Sequence, residues 1–227
     1  MIATPNQSNN PLIRWDWVVN EWDQIWAALV EHLQLTFSAM ALGLAISAPL
    51  AAIALRYRAS AAPLTAFTGF LYTLPSVALF GLLVPFFGLS RLTAVIPLAS
   101  YTLLVLVTNI IAGFRAVPGP VRTAADGMGM TPARRVAGVE LPLATPYIIT
   151  GIRIATVSTV GLVTVAAIIG QGGLGSLILD GLRRSFWTPM VVGALLSILL
   201  ALVLDLLIMW LGKKATPWTQ RRQAVDQ

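Results

Sequence analysis

The chain has 227 residues, of which 57% are hydrophobic and 11% charged. Its mean hydropathy of +0.80, with a charged share less than half the roughly 25% of a soluble domain, excludes an ordinary soluble globular protein and points to an integral membrane protein. The formal charge of +6 comes from few, scattered residues, which speaks for membrane topology and against nucleic acid. With no cysteine and one histidine, His32, disulfides, thiolate metal sites and cysteine nucleophiles are excluded.

The opening stretch MIATPNQSNNPLIRWDW lacks a basic segment followed at once by an apolar core. It is not expected to be a cleaved signal peptide, so the first span is expected to stay in the mature protein. Residues 15–33 place Trp15, Val18, Val19, Trp22, Trp26, Leu29 and Leu33 at helical spacing, with Asp16, Asn20, Asp23 and Gln24 largely opposite. That pattern predicts an amphipathic lead-in helix at the membrane interface, so residues 1–32 are set apart as a polar segment plus this helix.

Spans are predicted over about 33–55, 64–87, 92–114, 143–169 and 189–211, each long enough to cross at 1.5 Å per residue. Residues 33–212 form the membrane domain and 213–227 a basic tail. The fold class is all-α and integral to the membrane, with about five transmembrane helices. In the first span Ala39, Gly43, Ser47 and Ala51 recur every four residues, a spacing that lets two helices approach closely or that arises in any alanine-rich helix. The second span is broken at Leu74-Pro75-Ser76. Proline removes a backbone hydrogen bond, and in lipid the freed carbonyl needs a partner or a wet cavity. Pro75 and Ser76 therefore mark either a moving, pathway-lining kink or a static packing kink.

Basic residues set the orientation. One side collects Arg56, Arg58, Arg115, Arg122, Arg134, Arg135, Lys213, Lys214, Arg221 and Arg222, and the other only Arg14, Arg91, Arg183 and Arg184. The first side is expected to be cytoplasmic, with the N-terminus outside and the C-terminus inside. The tryptophans all fall near predicted span ends, where an amphipathic ring is favoured.

Between the third and fourth spans lies the loop of residues about 116–142, containing AADGMGMTPARRVAGVELP. Pro118-Gly119-Pro120 stops the third span, and Pro120 suits the first position of a short helix. Gly127 and Gly129 loosen or end that helix. Thr131 before Pro132 reads as an N-cap followed by proline at the first helical position. A second short helix is predicted over about 132–140, with Pro142 beginning the next span. The loop is thus a compact helix–turn–helix, either a docking element or simply an ordered segment with a solvated face.

This loop resembles the cytoplasmic EAA motif of the membrane subunits of binding-protein-dependent ABC importers: Glu-Ala-Ala, three residues, Gly, nine residues, then Ile-x-Leu-Pro. Here Thr123-Ala124-Ala125 is followed by Gly129 and by Val139-Glu140-Leu141-Pro142 at the matching spacing. The resemblance runs over about 33–212. It implies that Thr123, Ala124, Ala125, Asp126, Gly127, Met128, Gly129, Val139, Leu141 and Pro142 form a coupling segment docking on a cytoplasmic ATPase. The family's glutamate is Thr123 here, which removes a carboxylate from that surface, and Asp126 one turn on is a candidate substitute. The wording AADGMGMTP…VELPLATPYIITGIRIATV, with TLPSVALFGLLVPFFG, is most similar to permeases for glycine betaine, choline, carnitine and related osmoprotectants. Permeases for amino acids and other small solutes share the architecture, and a non-transport membrane scaffold is the alternative of a different class.

The resemblance implies a cytoplasmic ATPase dimer, a second permease subunit of the same or a homologous kind, an extracytoplasmic substrate-binding protein and surrounding lipid as partners. No nucleic acid is expected. The chain is not expected to be an enzyme or to hold a cofactor. ATP and magnesium are expected on the ATPase, since no G-x-x-x-x-G-K-[ST] occurs. Localisation is expected to be the inner or plasma membrane. Candidate pathway or gate residues are Tyr72, Pro75, Ser76, Tyr101, Arg153 and Gly172. Tyr72, Phe80, Phe86 and Tyr101 are the rings that could meet a quaternary ammonium. Arg153 either snorkels to the inner interface or pairs with Glu140 or Asp205. Gly170, Gly172 and Gly175 spell G-x-G-x-x-G, but the membrane-length run before them and the missing acid about 20 residues on reject a dinucleotide site. Close packing or a turn at the outer mouth is expected instead.

Overall fold

The computed structural model describes residues 12–218. Among these every regular element is helical, as a bilayer demands of a spanning chain without a closed barrel. The ten α-helices are α1 (Trp15–Asn20), α2 (Trp22–Arg56), α3 (Arg58–Thr73), α4 (Ser76–Phe87), α5 (Arg91–Arg115), α6 (Gly119–Gly127), α7 (Pro132–Arg135), α8 (Leu141–Val165), α9 (Leu174–Arg183) and α10 (Trp187–Ala215). Arg221 and Arg222 of the basic tail lie outside the described residues.

Among the described residues, four stretches are long and apolar enough to cross a membrane: Trp22–Arg56, Arg91–Arg115, Pro132–Ile169 and Trp187–Ala215. The pair α3 and α4 makes up to five if the two are one broken span. The second span is therefore not the straight run expected over 64–87. Its two pieces bend by 90° at Leu74 and Pro75, both in extended backbone.

A second difference lies at the start. The lead-in helix does not stand apart from the first span: α1 is a six-residue turn, and α2 then runs 35 residues without a break. The boundary expected at 32–33 falls inside one helix. At 1.5 Å per residue α2 is about 52 Å long, well over a 30 Å hydrocarbon core. Its buried face is Ile25, Ala28, His32, Leu35 and Ala39, while Trp15, Val19, Trp22 and Trp26 are exposed. The tryptophans face outward, where the headgroup region would receive them.

The chain divides into two compact units. One comprises the chain through Ala39, Pro75–Leu98 and Thr159–Leu202; the other comprises Met40–Leu74, Ala99–Ser158 and the chain from Val203 on. In the first, Leu35 and Ala39 of α2, Phe80 of α4, Val95 and Leu98 of α5, and Val163 of α8 form the core with Ala166 and Ile169. Phe80 is almost fully buried there, so its ring is core packing and unavailable to a cage. His32 Nε2–H donates to the Val160 carbonyl at 3.1 Å. The Arg14 backbone N–H donates to Thr188 Oγ1 at 3.0 Å, and Trp17 meets Phe186 edge-on at 5.8 Å.

In the second unit Ala51, Ala54, Ala61, Val107, Ile110 and Ile111 cluster, as do Met40, Leu106 and Ala155. In lipid such helices gain by close packing more than by escape from water. The stripe residues of this unit, Gly43, Ser47 and Ala51, are buried, and a Cβ on Gly43 would lie 1.9 Å from Thr102 Oγ1 of α5. Glycine there lets two backbones approach.

Candidate functional site

The loop is built by its punctuation. Pro118 is extended and precedes α6, with Gly119 first and Pro120 second in that helix, one position from the expected start. A proline there sacrifices no intrahelical hydrogen bond. α6 ends at Gly127. Met128 N–H returns to the Ala124 carbonyl, Met130 N–H to the Ala125 carbonyl, and Gly129 takes φ +75°. Thr131 is the N-cap of α7: its Oγ1 accepts from the Arg134 backbone N–H at 3.4 Å, with Pro132 at the first helical position.

Beyond α7 the expectation of a separate helix ending before Pro142 is corrected. Val136–Glu140 form a π-turn that leads straight into α8, closed by the Leu141 N–H bonded to the Val136 carbonyl. The wide turn ends two residues before Pro142, whose missing N–H would have broken an α-helical ladder. Such π-turns often mark functional sites. Pro132 to Ile169 is thus one continuous helical stretch, and the second half of the loop is the foot of the fourth span.

Four charges bind the loop together. Arg135 Nη1 holds both Asp126 oxygens, at 2.5 and 2.7 Å, and its Nε donates to Glu140 Oε1 at 2.9 Å. Arg122 lies 3.5 Å from the same Glu140 oxygen and donates to the Phe114 carbonyl at the end of α5. Glu140 is 7% exposed. Arg135 therefore ties α6 to the π-turn, and Arg122 ties α6 to α5.

Of the motif residues, Ala125 is buried while Thr123, Ala124, Asp126, Gly127, Met128 and Gly129 are exposed. Thr123 Oγ1 donates to the Gly119 carbonyl within α6. Asp126, the candidate substitute for the missing glutamate, is engaged with Arg135 inside the loop. Val139 is half-buried, and Leu141 is 42% exposed.

Among the pathway candidates, Tyr101 and Tyr72 meet edge-on with ring centroids 6.0 Å apart. Tyr101 O–H donates to the Leu74 carbonyl, the group just before the proline break. The carbonyl that the N–H missing from Pro75 would have met, that of Leu71, accepts instead from the Leu74 N–H at 3.3 Å. Phe86 is exposed. Arg153 pairs bidentately with Asp205, at 2.8 and 2.7 Å, and Glu140, its other candidate partner, is taken by the loop. Gly172 sits in a tight turn, where a Cβ would come within 2.4 Å of Ala167 backbone. The G-x-G-x-x-G run follows a 3-10 turn over Ala166–Ile169 and opens α9, with no strand before it.

Sequence reading missed the Glu140 hub and the Arg122 and Arg135 contacts to it. The signal for the Arg135 contact was an acid five residues after an arginine at the start of an apolar run, which is the reach of a π-turn. The sequence likewise pointed to no structural role for His32, yet that side chain ties α2 to α8 through the Val160 carbonyl.

Residues 29–217 match the family described as the binding-protein-dependent transport system inner membrane component. The chain belongs to this family. It is the permease subunit of a binding-protein-dependent ABC importer and a membrane component. The permease is similar to osmoprotectant import permease protein OsmW of Salmonella typhimurium, 40% identical over 192 residues, 82% of this chain and 89% of that protein. It is 34% identical over 192 residues to choline transport system permease protein OpuBB of Bacillus subtilis, 85% of this chain and 88% of that protein. The glycine betaine/carnitine/choline transport system permease protein OpuCB of Bacillus subtilis is 32% identical over 187 residues, 82% of this chain and 86% of that protein. The permease shares its fold with a chain of the MetNI methionine ABC transporter in an inward-facing conformation, at TM-score 0.75 and 20% identity over 87% of this chain and 98% of that one. A chain of an amino acid ABC transporter gives TM-score 0.73 and 18% identity, over 89% and 99%.

Proposed function

We propose that this permease carries a quaternary-amine osmoprotectant of the glycine betaine, choline or carnitine class into the cell. It works as one of two permease subunits, with a cytoplasmic ATPase dimer and an extracytoplasmic binding protein. The side bearing the loop is cytoplasmic, as the basic residues favour. The observation that carries the coupling reading is the continuous helical stretch from Pro132 to Ile169. Force received on the exposed face of α6 passes through the Asp126–Arg135–Glu140 contacts into the foot of α8, which moves as part of the same rod. The packed, charge-tied loop stores little slack, so ATP-driven closure of the ATPases is converted into rocking of the spans.

The substrate class is supported by the names of relatives at 32–40% identity, against which the amino-acid transporters offer only fold likeness. Tyr72, which is exposed, supplies an aromatic ring suited to a quaternary ammonium, and the buried Tyr101 packs edge-on against it. Pro75 and Ser76 supply the break about which that stretch moves, and the Arg153–Asp205 pair keeps two charges matched within apolar helices. Gly172 contributes a tight turn at the outer mouth. ATP and magnesium act on the partner ATPase. The test is ATP hydrolysis by the permease–ATPase complex in lipid, with the binding protein empty or loaded with glycine betaine. Stimulation by the loaded form is expected. Hydrolysis indifferent to betaine but raised by another solute would discard the substrate class, and failure of any ATPase to co-purify would discard the coupling role.

A further inference from the structure

A cleft of 1070 Å³ opens in the second unit between the inner ends of the spans and the loop. It is at the upper end of pockets that hold small molecules, about 300–1,000 Å³. Much of its lining is apolar: Leu44, Ala48 and Ala52 of α2, Phe114 of α5 and Ile148 of α8. The rest of the lining is mostly cationic, with Arg56, Arg58, Arg115, Arg122 and Arg135 against the single acid Glu140. Arg122 and Arg135 are committed to Glu140, and Arg56 lies over the Tyr57 ring at 5.5 Å. Among the described residues, Arg58 and Arg115 meet no carboxylate. These two also line a second, adjoining groove of 530 Å³ floored by Ala61, Ala62, Ala66 and Ile111. Two apolar grooves therefore converge on the same pair of guanidiniums.

We propose that this cleft seats one anionic phospholipid, its phosphate between Arg58 and Arg115 and its acyl chains against the walls of the two grooves. Charge complementarity asks for an anion, and guanidinium is the side chain best matched to phosphate oxygens. The apolar walls ask for hydrocarbon attached to that anion, which a soluble phosphate lacks. The walls of the larger groove belong to α2, α5 and α8, which lie in membrane-length stretches, and the hydrocarbon that bathes such helices is lipid. The basic end of the chain is also the end expected to face the leaflet whose anionic lipids attract arginine. The site borders Val136, Glu140 and Leu141, so its occupant would touch the start of the fourth span. This inference is independent of the transported solute, and it is read without transport.

The experiment is native mass spectrometry of the full chain in detergent, titrated with phosphatidylglycerol, with phosphatidylcholine as the zwitterionic comparison and inorganic phosphate as the soluble anion. One phosphatidylglycerol should be retained in preference to phosphatidylcholine. Arg58→Gln with Arg115→Gln should weaken it about thirty-fold, the worth of two cations facing an anionic lipid, and Arg58→Lys with Arg115→Lys should largely restore it. Ala52→Trp, which fills the larger groove without touching charge, should also weaken it. Equal retention of the two lipids, or unchanged retention in the glutamine variant, would overturn the proposal. Competition by inorganic phosphate together with an unaffected Ala52→Trp would reassign the arginines to a soluble anion and overturn it. Displacement of the lipid by the docked ATPase would assign them to that protein interface, with the same consequence.

Discussion

Gly129 separates a backbone requirement from a docking requirement. Its φ of +75° lies in the left-handed region, and a Cβ built there meets nothing within 4 Å. Replacement therefore costs strain but no clash within the chain. For an ordinary L-residue that strain is about 1–2 kcal/mol, a factor of roughly 5–30 in the population of the native turn. Asparagine tolerates the left-handed region far better. If the glycine serves the turn, activity should run Gly close to Asn, then Ala about fivefold or more lower, then Val lower still. Gly129→Asp shares the backbone tolerance of asparagine, so any further loss in it reports a charge placed on the docking face. The assay is transport-coupled ATP hydrolysis in proteoliposomes, with hydrogen exchange at residues 124–135 reporting the turn itself. An asparagine variant as impaired as alanine, with its amides still protected, would refute the conformational argument and show that a bare surface is what matters.

Three further perturbations follow from particular contacts. Glu140→Gln leaves Arg122 and Arg135 facing each other without the buried carboxylate between them. Its cost to the loop should be about 3 kcal/mol, read as faster hydrogen exchange over 119–140, whereas Asp126→Asn, whose side chain is 51% exposed, should change little; equal effects would contradict the hub. Asp205→Asn strands Arg153 among apolar helices and should lower resistance to SDS unfolding more than Arg153→Gln with Asp205→Asn together; the reverse order would contradict the pairing. Gly43→Ala pushes a methyl group to 1.9 Å from Thr102 Oγ1, an overpacking cost of about 1–3 kcal/mol that Thr102→Ala should partly relieve. A double-mutant cycle in mixed micelles with no coupling would show that the two helices do not meet there.

The spans were legible because a bilayer tolerates few solutions: long apolar runs must be helices, and their ends must carry the arginines and tryptophans. The loop was legible through its caps, since Thr131-Pro132 and Gly129 each permit few local conformations. Pro75 marked the break in the second span, but proline fixes only a missing bond, and the bend angle is set by what α3 and α4 pack against. Pro142 read as a helix start because an α-helical ladder would need its N–H. The π-turn avoids that need by shifting register, and the Arg135–Glu140 contact that accompanies it is one that no periodicity reveals. Arg153 and Asp205 were recognisable as charges needing partners, yet 52 residues separate them, and only tertiary packing chose Asp205 over Glu140. Phe80 stood among candidate rings because aromatic content alone does not say which rings lie in a core.

The most direct measurement is uptake of labelled glycine betaine into proteoliposomes holding the permease with its ATPase, ATP enclosed and binding protein outside. Accumulation that requires ATP, and that falls in the Gly129→Ala variant but not in Gly129→Asn, is the expected result. Uptake that proceeds without ATP, or none for any quaternary amine while the intact complex concentrates a different solute, would contradict the account.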